Sequence, residues 1–396
     1  MQENSDSPVR NKNEGLNAKS SKKRKRNTMD TSKVEAFLDR YLNDYKSYQT
    51  YWNYEDSCLL MGCQRMFEAT GDRKYADYII HYLEGRVEPN GSIPTYHKDQ
   101  NTLDDLACGK LLFFGLDQTG DERYKTAIEY HMERLHAHPR CKCGSFWHKD
   151  IYPNQIWLDG LYMAEPLYME YETRFHKMEN YNDIMTQFRN VRKYLFDEEK
   201  GLYYHGFDEA KIQPWANKET GRSANFWSRA CGWWLIALVD TMEVMNKQIY
   251  ENYRELEDLF RESINGMIPY RDEKDGLIYQ VIDRADVPGN YTEASGSVMM
   301  ACAIMKGCRM GILLPEKYLA IGREMFESCV ENKVRPDDKG VVRFQDICHV
   351  GGLGPGNKRD GSVAYYLSEP ISADDAKGVG PFMMAYSEYL RTADLV

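Results

Sequence analysis

Apolar residues recur with a helical period along almost the whole chain from residue 29 onward, with short breaks between the periodic segments. The first such segment covers residues 30–42, and its apolar side chains share one stripe: Val34, Phe37, Leu38, Tyr41 and Leu42. Spacings of three and four residues are typical of an amphipathic α-helix that buries one face. The pattern therefore predicts an all-α protein built from many helices in succession.

The predicted helices fall into two sets that alternate along the chain. Helices of one set are rich in Lys, Arg and Glu, and they begin near residues 31, 73, 121, 180, 250 and 315. The other set is richer in Gly, Ala, Ser, Cys and Met, and it covers about 54–69, 104–118, 157–175, 225–246, 292–311 and 374–391. A helix with one polar face suits the outside of a barrel, whereas small residues suit a crowded inside.

Six helices of each kind predict an (α/α)6 barrel of six helical hairpins, which would form a single domain over residues 30–396. The phrase Thr-Gly-Asp-x-x-Tyr occurs at residues 70–75 and again at 119–124. A Gly stop followed by an Asp start is a typical joint between two helices. A solenoid of helical pairs is the alternative, but its repeats would be regular, whereas these units vary from about 50 to 75 residues.

The N-terminal segment and the composition of the chain exclude several classes of function. Residues 1–29 are polar and predict a disordered tail with a basic run at 22–26, to which no role is assigned. The net charge of −10 argues against a nucleic-acid binder, although a local basic pocket could still receive an anionic substrate. Ten scattered cysteines indicate reduced thiols rather than a disulfide framework. Without an apolar leader or a run of about 18 apolar residues, we expect a soluble cytoplasmic protein that has no membrane partner.

Polar and aromatic residues concentrate in the loops that enter the predicted inner helices, and in a barrel these loops line one rim. The predicted rim contains Trp52, Tyr54, Glu55, Asp104, Asp105, residues 148–159, His205, and residues 225–233, 293–297 and 349–356. Helix N-termini add free N–H groups that favour anions. The sequence therefore predicts a functional site at this rim.

The stretch 146–163 is the most informative part of that rim. It combines aromatic residues, His148, Lys149 and Asp159, and Asp159 directly follows Trp157 and Leu158 where an apolar helical pattern begins. A carboxylate among aromatic side chains is poorly solvated, so we expect its pKa to rise toward the range useful for proton donation. The competing interpretation is that Asp159 caps a helix and that the aromatic residues belong to the core.

A second carboxylate and several charged groups are candidates for the same site. Asp104 begins the neighbouring inner helix, and with Asp159 it suggests paired acid–base work on a sugar, with Asp105 as its rival. Arg229 and Lys149 are candidate anchors for a substrate carboxylate, which Arg holds in a bidentate fork. Two histidines are ranked as substrate-binding residues on rim loops, His205 first and His148 second.

Three tryptophans are candidate faces on which a sugar ring could stack: Trp157, Trp227 and Trp233. Trp52, on the same predicted rim, is a further candidate substrate-binding residue. Core packing is the competing interpretation of each one alone, so the prediction depends on their convergence on one rim. The His-x-His-x-x-Cys-x-Cys cluster at 136–143 does not have common zinc spacing, so a plain loop is favoured over a metal site. Phosphate-binding and nucleophile-elbow motifs do not occur.

Five motifs together resemble glycoside hydrolase family 105, the unsaturated rhamnogalacturonyl hydrolases. They are the stretch 146–163, Leu-Asp-Asp-Leu-Ala-Cys-Gly-Lys at 103–110, Phe-Trp-Ser-Arg-Ala-Cys-Gly-Trp at 226–233, Thr-Glu-Ala-Ser-Gly-Ser at 292–297 and Lys-Gly-Val-Gly-Pro-Phe at 377–382. The resemblance covers about residues 35–391 and implies an (α/α)6 barrel. The motif at 103–110 departs from the family pattern at Ala107 and Cys108, where an Asn-Pro-like pair is usual.

The resemblance also implies a mechanism. Asp159 would protonate C4 of a 4,5-unsaturated uronic acid at the non-reducing end of an oligosaccharide and help to deliver water to C5, after which the hemiketal opens and releases the next sugar. Asp104 would orient the substrate or tune Asp159. The uronate would be held by Arg229, His205, Lys149 and Trp233. The family needs no metal or cofactor, and we expect a monomer or homodimer.

Three readings of the function remain open at this level. The first is the hydrolase that removes unsaturated galacturonyl residues from rhamnogalacturonan, with a close variant that acts on glucuronyl ends of glycosaminoglycan or algal fragments. The second is a sugar epimerase on the same barrel, whose chemistry requires a pair of histidines, whereas the strongest motif here centres on Asp159. The third is a non-catalytic helical-repeat scaffold, since fold alone does not establish function.

Overall fold

A computed structural model describes residues 29–47, 50–96 and 100–395, so the predicted tail up to residue 28 lies outside the described residues. The helices in chain order are α1 (Ser32–Asp44), α2 (Tyr54–Thr70), α3 (Arg73–Glu84), α4 (Leu103–Leu106), α5 (Lys110–Thr119), α6 (Glu122–His136), α7 (Leu158–Arg174), α8 (Tyr181–Leu195), α9 (Ser228–Val244), α10 (Tyr250–Met267), α11 (Ala294–Arg309), α12 (Pro315–Asn332), α13 (Val363–Ser368) and α14 (Ala376–Arg391). The strands are β1 (Gln155–Trp157), β2 (Phe196–Asp197), β3 (Leu202–Tyr203), β4 (Gly206–Asp208), β5 (Val334–Pro336), β6 (Val342–Phe344), β7 (Ile347–Cys348) and β8 (Ile371–Ser372).

Six helical segments form a closed inner ring, which confirms the predicted barrel. Helix α2 packs against the α4–α5 segment, which packs against α7, and the ring continues through α9, α11 and α14 back to α2. The outer helices α1, α3, α6, α8, α10 and α12 each precede an inner segment along the chain. Unbroken burial marks the inner helices, because every residue from Ser228 to Met242 of α9 is buried. The outer helix α10 buries only one stripe of its surface.

The closest helix contact in the ring joins its first and last members, α2 and α14. A methyl group added at Gly380 would lie 2.0 Å from the carbonyl oxygen of Cys58, and one added at Gly62 would lie 2.8 Å from the carbonyl oxygen of Gly380. These distances are well below van der Waals contact, so the two backbones can approach this closely only with glycine at both positions. The richness of the inner helices in small residues is thus a packing requirement.

The second inner helix differs from the prediction of one continuous helix over 104–118. It begins as the short helix α4, tightens into a 3₁₀ turn at Ala107–Gly109 and continues as α5. Gly109 lies at the tight point, because a methyl group there would be 2.9 Å from the ring of His131 on α6. The break separates the acidic turn of α4 from the apolar body of α5.

The strands pair only as short antiparallel ladders beside the barrel, in the pairs β1–β4, β2–β3, β5–β6 and β7–β8. The β2–β3 ladder joins two strands across residues 198–201, and the β5–β6 ladder joins two strands across residues 337–341. Single bridges join Arg271 to Ile278 and Tyr279 to Thr292. The β1–β4 ladder joins the segment that leads into α7 to the segment that leads into α9.

A buried cluster of charges ties four inner helices together near their C-terminal ends. The Lys306 ammonium on α11 donates to Asp240 at 2.5 Å and to Glu243 at 2.6 Å, both on α9. Arg309 on α11 bridges Glu243 to Glu388 of α14. Arg65 on α2 lies 3.0 Å from Glu243, so α2, α9, α11 and α14 share one network. None of the helices in the described ranges is long and apolar enough to cross a membrane.

Candidate active site

A cleft of about 440 Å³ opens on the rim where α2 and α4 begin. Its walls carry polar and charged side chains from three loops and two helix starts: Tyr51, Asn53, Tyr54, Glu55, Gln100, Asn101, Thr102, Asp104, Asp105, Lys149, Asp150 and Ile151. The predicted rim residues Glu55, Asp104, Asp105 and Lys149 therefore lie together. A cleft of this size and polarity suits a sugar better than an apolar ligand.

The backbone fixes Asp104 opposite the loop that carries His148 and Lys149. Thr102 caps α4 by accepting from the Asp104 N–H, and the Leu103 N–H donates to the carbonyl oxygen of His148 at 3.1 Å. Asp104 then forms an ion pair with Lys149, and its Oδ1 lies 3.5 Å from Nε2 of His148. Burial acts to lower the pKa of Lys149, but the charge of Asp104 outweighs burial and raises it. The cation is therefore firmly paired in the free protein.

Asp159 lies in the first turn of α7, and strand pairing places His205 beside it. Strand β1 ends at Trp157, which pairs with Gly206 of β4, and the Leu158 N–H donates to the carbonyl oxygen of His205 at 3.1 Å. Nε2 of His205 lies 3.3 Å from Oδ2 of Asp159. Among the described residues, neither atom has a well-aligned hydrogen bond. His205 is fully buried and the Asp159 side chain is 14% exposed, so the pair retains hydrogen-bonding capacity for a ligand.

The charge state of Asp159 differs from the expectation based on its aromatic neighbours. Burial acts to raise the pKa of the Asp159 carboxyl, but the contacts with His205 and His148 and a backbone hydrogen bond together hold that pKa below its usual value. Burial lowers the pKa of His148 to about 4. The free protein therefore holds Asp159 as a carboxylate, and a proton donor role requires a further negative charge nearby to raise its pKa.

Asp159 and His205 do not line the cleft directly, and His148 connects the two regions. His148 contacts Asp104 on one side and stacks on Trp157 on the other, with ring centroids 4.5 Å apart and planes inclined by 16°. Trp157 in turn meets His205 edge to face at 5.3 Å. A continuous row of polar and aromatic side chains therefore runs from the cleft to Asp159.

Residues 349–356, the predicted rim loop before the sixth inner helix α14, cover this row of side chains. A methyl group added at Gly351 would overlap the ring of Trp227 at 2.5 Å, and one added at Gly206 would lie 2.6 Å from Leu353. Leu353 is part of a small apolar cluster with Tyr152, Trp157, Trp215 and Ala216, separate from the main core. Close backbone packing thus holds residues 351–353 against Trp227 and strand β4, beside the Asp159–His205 pair.

Arg229 and Trp227 support this covering loop. The Arg229 guanidinium is buried, donates to the carbonyl oxygens of Cys348 and His349, and lies 4.8 Å from the centroid of the Trp227 ring. Trp227 donates to Gln280 at 3.1 Å and stacks on Tyr366. The structure therefore places both residues beside the site, with most of their visible contacts made to the protein.

The other two tryptophans lie deeper in the barrel than the rim prediction suggested. Trp233 stacks on Tyr162 at 4.4 Å, about one helical turn beyond the start of α9, and is buried. Trp52 is fully buried and donates to Nε2 of His131 at 3.1 Å, on the outer helix α6. Neither residue is brought together with Asp159 or Asp104 by a contact in the described chain.

Tyr366 is a site residue that the sequence reasoning missed. Its hydroxyl lies 2.7 Å from Nδ1 of His205, although the two residues are 161 positions apart. Tyr366 lies in the short helix α13, three residues after the helix begins, in a segment without a recognisable motif. No local pattern could have identified it, because the contact exists only after the covering loop and the β1–β4 ladder have formed.

Replacing Tyr366 with Phe is expected to lower kcat about 10- to 100-fold with little change in KM, because His205 loses the partner that orients its ring. The pH profile of kcat should also move, since the His205 contact is one of the causes that lower the pKa of Asp159. Steady-state kinetics over a pH series would measure both effects. Tyr386→Phe is a matched control, because it also removes one tyrosine hydroxyl, which donates to Glu35 of α1 and not to a residue of the candidate site. If the pH profile of kcat did not change, Tyr366 would have only a packing role.

Within the described ranges, the His, Cys, Asp and Glu side chains form no group of three or more that could hold a metal ion. This includes the segment around Cys141 and Cys143, both of which are free thiols.

Comparison with known proteins identifies relatives over nearly the whole chain. The sequence pattern of Glycosyl Hydrolase Family 88 matches residues 25–393. A solved family 105 glycoside hydrolase from C. acetobutylicum ATCC 824 is 37% identical, covers 91% of this chain and 99% of its own, and superposes with a TM-score of 0.85. Protein Atu3128 of Agrobacterium fabrum is 40% identical over 236 residues, which is 58% of this chain and all of that protein.

A more distant structure shares the fold. The unsaturated glucuronyl hydrolase specific for heparin is 14% identical, covers 92% of this chain and 96% of its own, and gives a TM-score of 0.66. At that level of identity the likeness concerns the helical barrel alone.

Proposed function

The chain belongs to Glycosyl Hydrolase Family 88, of the family 105 type, and on this premise we propose that it removes a 4,5-unsaturated galacturonyl residue from the non-reducing end of rhamnogalacturonan oligosaccharides. The observation that carries the proposal is the pair of Asp159 and His205 at the start of an inner helix, whose facing atoms have no well-aligned hydrogen bond among the described residues. A carboxyl beside a histidine suits acid–base chemistry on a polarised double bond.

In the proposed reaction the substrate itself creates the acid form of Asp159. The uronate carries a negative charge, and placing it near Asp159 raises the pKa of that carboxyl against the lowering effect of His205. Asp159 then donates its proton to C4 of the enol ether, and the resulting carboxylate accepts a proton from water as that water adds to C5. The proton that Asp159 donates is thus restored in the same cycle.

Bond cleavage follows hydration. The C5 hemiketal opens to a ketone and leaves a hemiacetal at C1, which expels the neighbouring sugar as an alcohol and becomes an aldehyde. One water is consumed and one glycosidic bond is lost, without attack of a carboxylate at C1. Asp104, Lys149 and His148 orient the sugar from the cleft side, and Arg229 with Trp227 holds the loop that covers it. Trp157 provides a stacking face at the junction.

A glucuronyl substrate is the close alternative, because the same double bond occurs in fragments of glycosaminoglycans and algal polysaccharides. The test is loss of the ultraviolet absorbance of the conjugated uronate. The protein would be mixed with a lyase-generated rhamnogalacturonan disaccharide and, separately, with one derived from a glycosaminoglycan. Loss with the first substrate supports the proposal, and loss with only the second keeps the mechanism and changes the sugar. A constant signal with both would reject the hydrolase for these substrates.

A further inference from the structure

The cleft contains a carboxyl without a partner, next to one that is firmly paired. Asp105 is 8% exposed and lines the cleft, yet among the described residues its side chain has no hydrogen bond and no ion pair. Its neighbour Asp104 is bound to Lys149 and close to His148. A carboxyl that lines a binding cleft without a protein partner is available to form a hydrogen bond with a ligand in that cleft.

The charges around Asp105 oppose a second anion in the cleft. Asp105 is faced by Asp104 on its own helix, by Glu55 at the start of α2, by Lys149 from the loop before β1 and by the phenol of Tyr96. Lys149 is the cation among them and is already paired with Asp104. Two further carboxylates beside an incoming uronate would repel it, since like charges in a partly buried site interact strongly.

We propose that Asp105 is a substrate-binding residue that works in its neutral form and donates a hydrogen bond from its carboxyl O–H to an oxygen of the sugar in the cleft. This inference rests on the proposed function for the identity of the sugar. Burial and the charge of Asp104 raise the pKa of Asp105 to about 7, which agrees with a proton held at that position. Burial likewise raises the pKa of Glu55 to about 7, so the same cleft has a second carboxyl that can be neutral.

The neutral form has a consequence for the pH dependence of binding. Below pH 7 the Asp105 proton is in place, the group donates, and the uronate meets fewer negative charges. Above pH 7 Asp105 ionises, the donor is lost and the charge repels the substrate, so KM rises. An anionic acceptor would produce the opposite trend, because binding would then improve as Asp105 ionises.

Two substitutions at Asp105 separate these roles. Asp105→Asn retains a donor of similar shape and should leave KM within about threefold of the parent, with a weaker rise of KM above pH 7. Asp105→Ala removes the donor and should raise KM about tenfold, with kcat much less affected. An Asn variant as weak as the Ala variant would assign an anionic acceptor role and overturn the proposal. An unchanged KM in the Ala variant would overturn it as well.

A binding measurement keeps this test separate from the proposed reaction. Titration calorimetry with galacturonate requires no double bond and no turnover, so it compares the parent and the two variants even if no unsaturated disaccharide is consumed. Binding by the parent and by Asp105→Asn, together with a tenfold weaker Asp105→Ala, supports the inference. No binding by the parent, or equal binding by all three proteins, would reject it. Thermal melting of each protein verifies that the fold is intact.

Discussion

Replacing Asp159 with Asn is expected to lower kcat/KM by roughly a thousandfold or more, because the amide can neither donate the proton to C4 nor recover one from water. The side chain keeps its size and can still contact His205, so the site should retain its shape. The effect should fall on kcat, since a group that acts on the reacting atoms contributes mainly to the transition state. The measurement is the decay of the ultraviolet absorbance of the unsaturated disaccharide.

The matched control for this change is Asp337→Asn, which also neutralises one carboxylate. Asp337 lies in an exposed loop between β5 and β6, pairs with Arg343 and is not one of the residues that line the cleft. Its substitution should leave turnover unchanged and alter stability only slightly, as expected of an exposed ion pair. If Asp159→Asn kept more than about a tenth of the parent activity, the assignment of Asp159 as the acid–base residue would be wrong.

Replacing Lys306 with Met is expected to reduce the free energy of unfolding by about 3–5 kcal/mol, because the buried carboxylate of Asp240 loses its hydrogen-bonded cation. Lys306 and Asp240 are each about 2% exposed, and the ammonium also contacts Glu243. Arg65 lies 3.8 Å from Asp240 and cannot replace the lost bond at its present distance. The denaturant midpoint and the thermal midpoint of the two proteins would measure the loss.

Two further variants make this result specific. Lys317→Met removes an exposed lysine from the outer helix α12 and should change stability by no more than about 0.5 kcal/mol. The double variant Lys306→Met with Asp240→Leu replaces both ions with apolar groups and should recover part of the lost stability, since a buried pair exchanged for apolar residues is often neutral. A single Lys306 variant as stable as the parent would show that the cluster is solvated in solution.

The helices were predictable because each kind of burial leaves a distinct pattern. The predicted inner segments 157–175 and 292–311 correspond to Leu158–Arg174 and Ala294–Arg309. Outer helices are buried on one side and therefore show a single stripe of apolar residues. Inner helices are buried on all sides and are rich in small residues. The break in the second inner helix was not predictable, because it follows from the approach of Gly109 to His131 across two elements.

The site was predictable as far as it depends on helix starts. Asp104, Asp159, His148 and Lys149 follow the rule that loops entering inner helices share one rim. That rule does not predict how deep a side chain lies in the barrel. The sequence therefore did not reveal that Trp52 and Trp233 lie in the interior. The lowered pKa of Asp159 depends on His205, which reaches it through the β1–β4 ladder and not through sequence proximity.

The contact between α14 and α2 has a consequence for how the chain reaches its native state. Gly380 of α14 packs on Cys58 of α2, and Tyr386 of α14 donates to Glu35 of α1, which precedes it by 351 residues. The seam of the ring therefore joins the beginning and the end of the described barrel. On the ribosome, the first hairpins emerge long before the helix that must cover them has been made. Their apolar faces therefore stay exposed during synthesis, and we expect a high contact order and slow completion of the fold. Chaperone binding to nascent chains that end before α14 is a natural corollary.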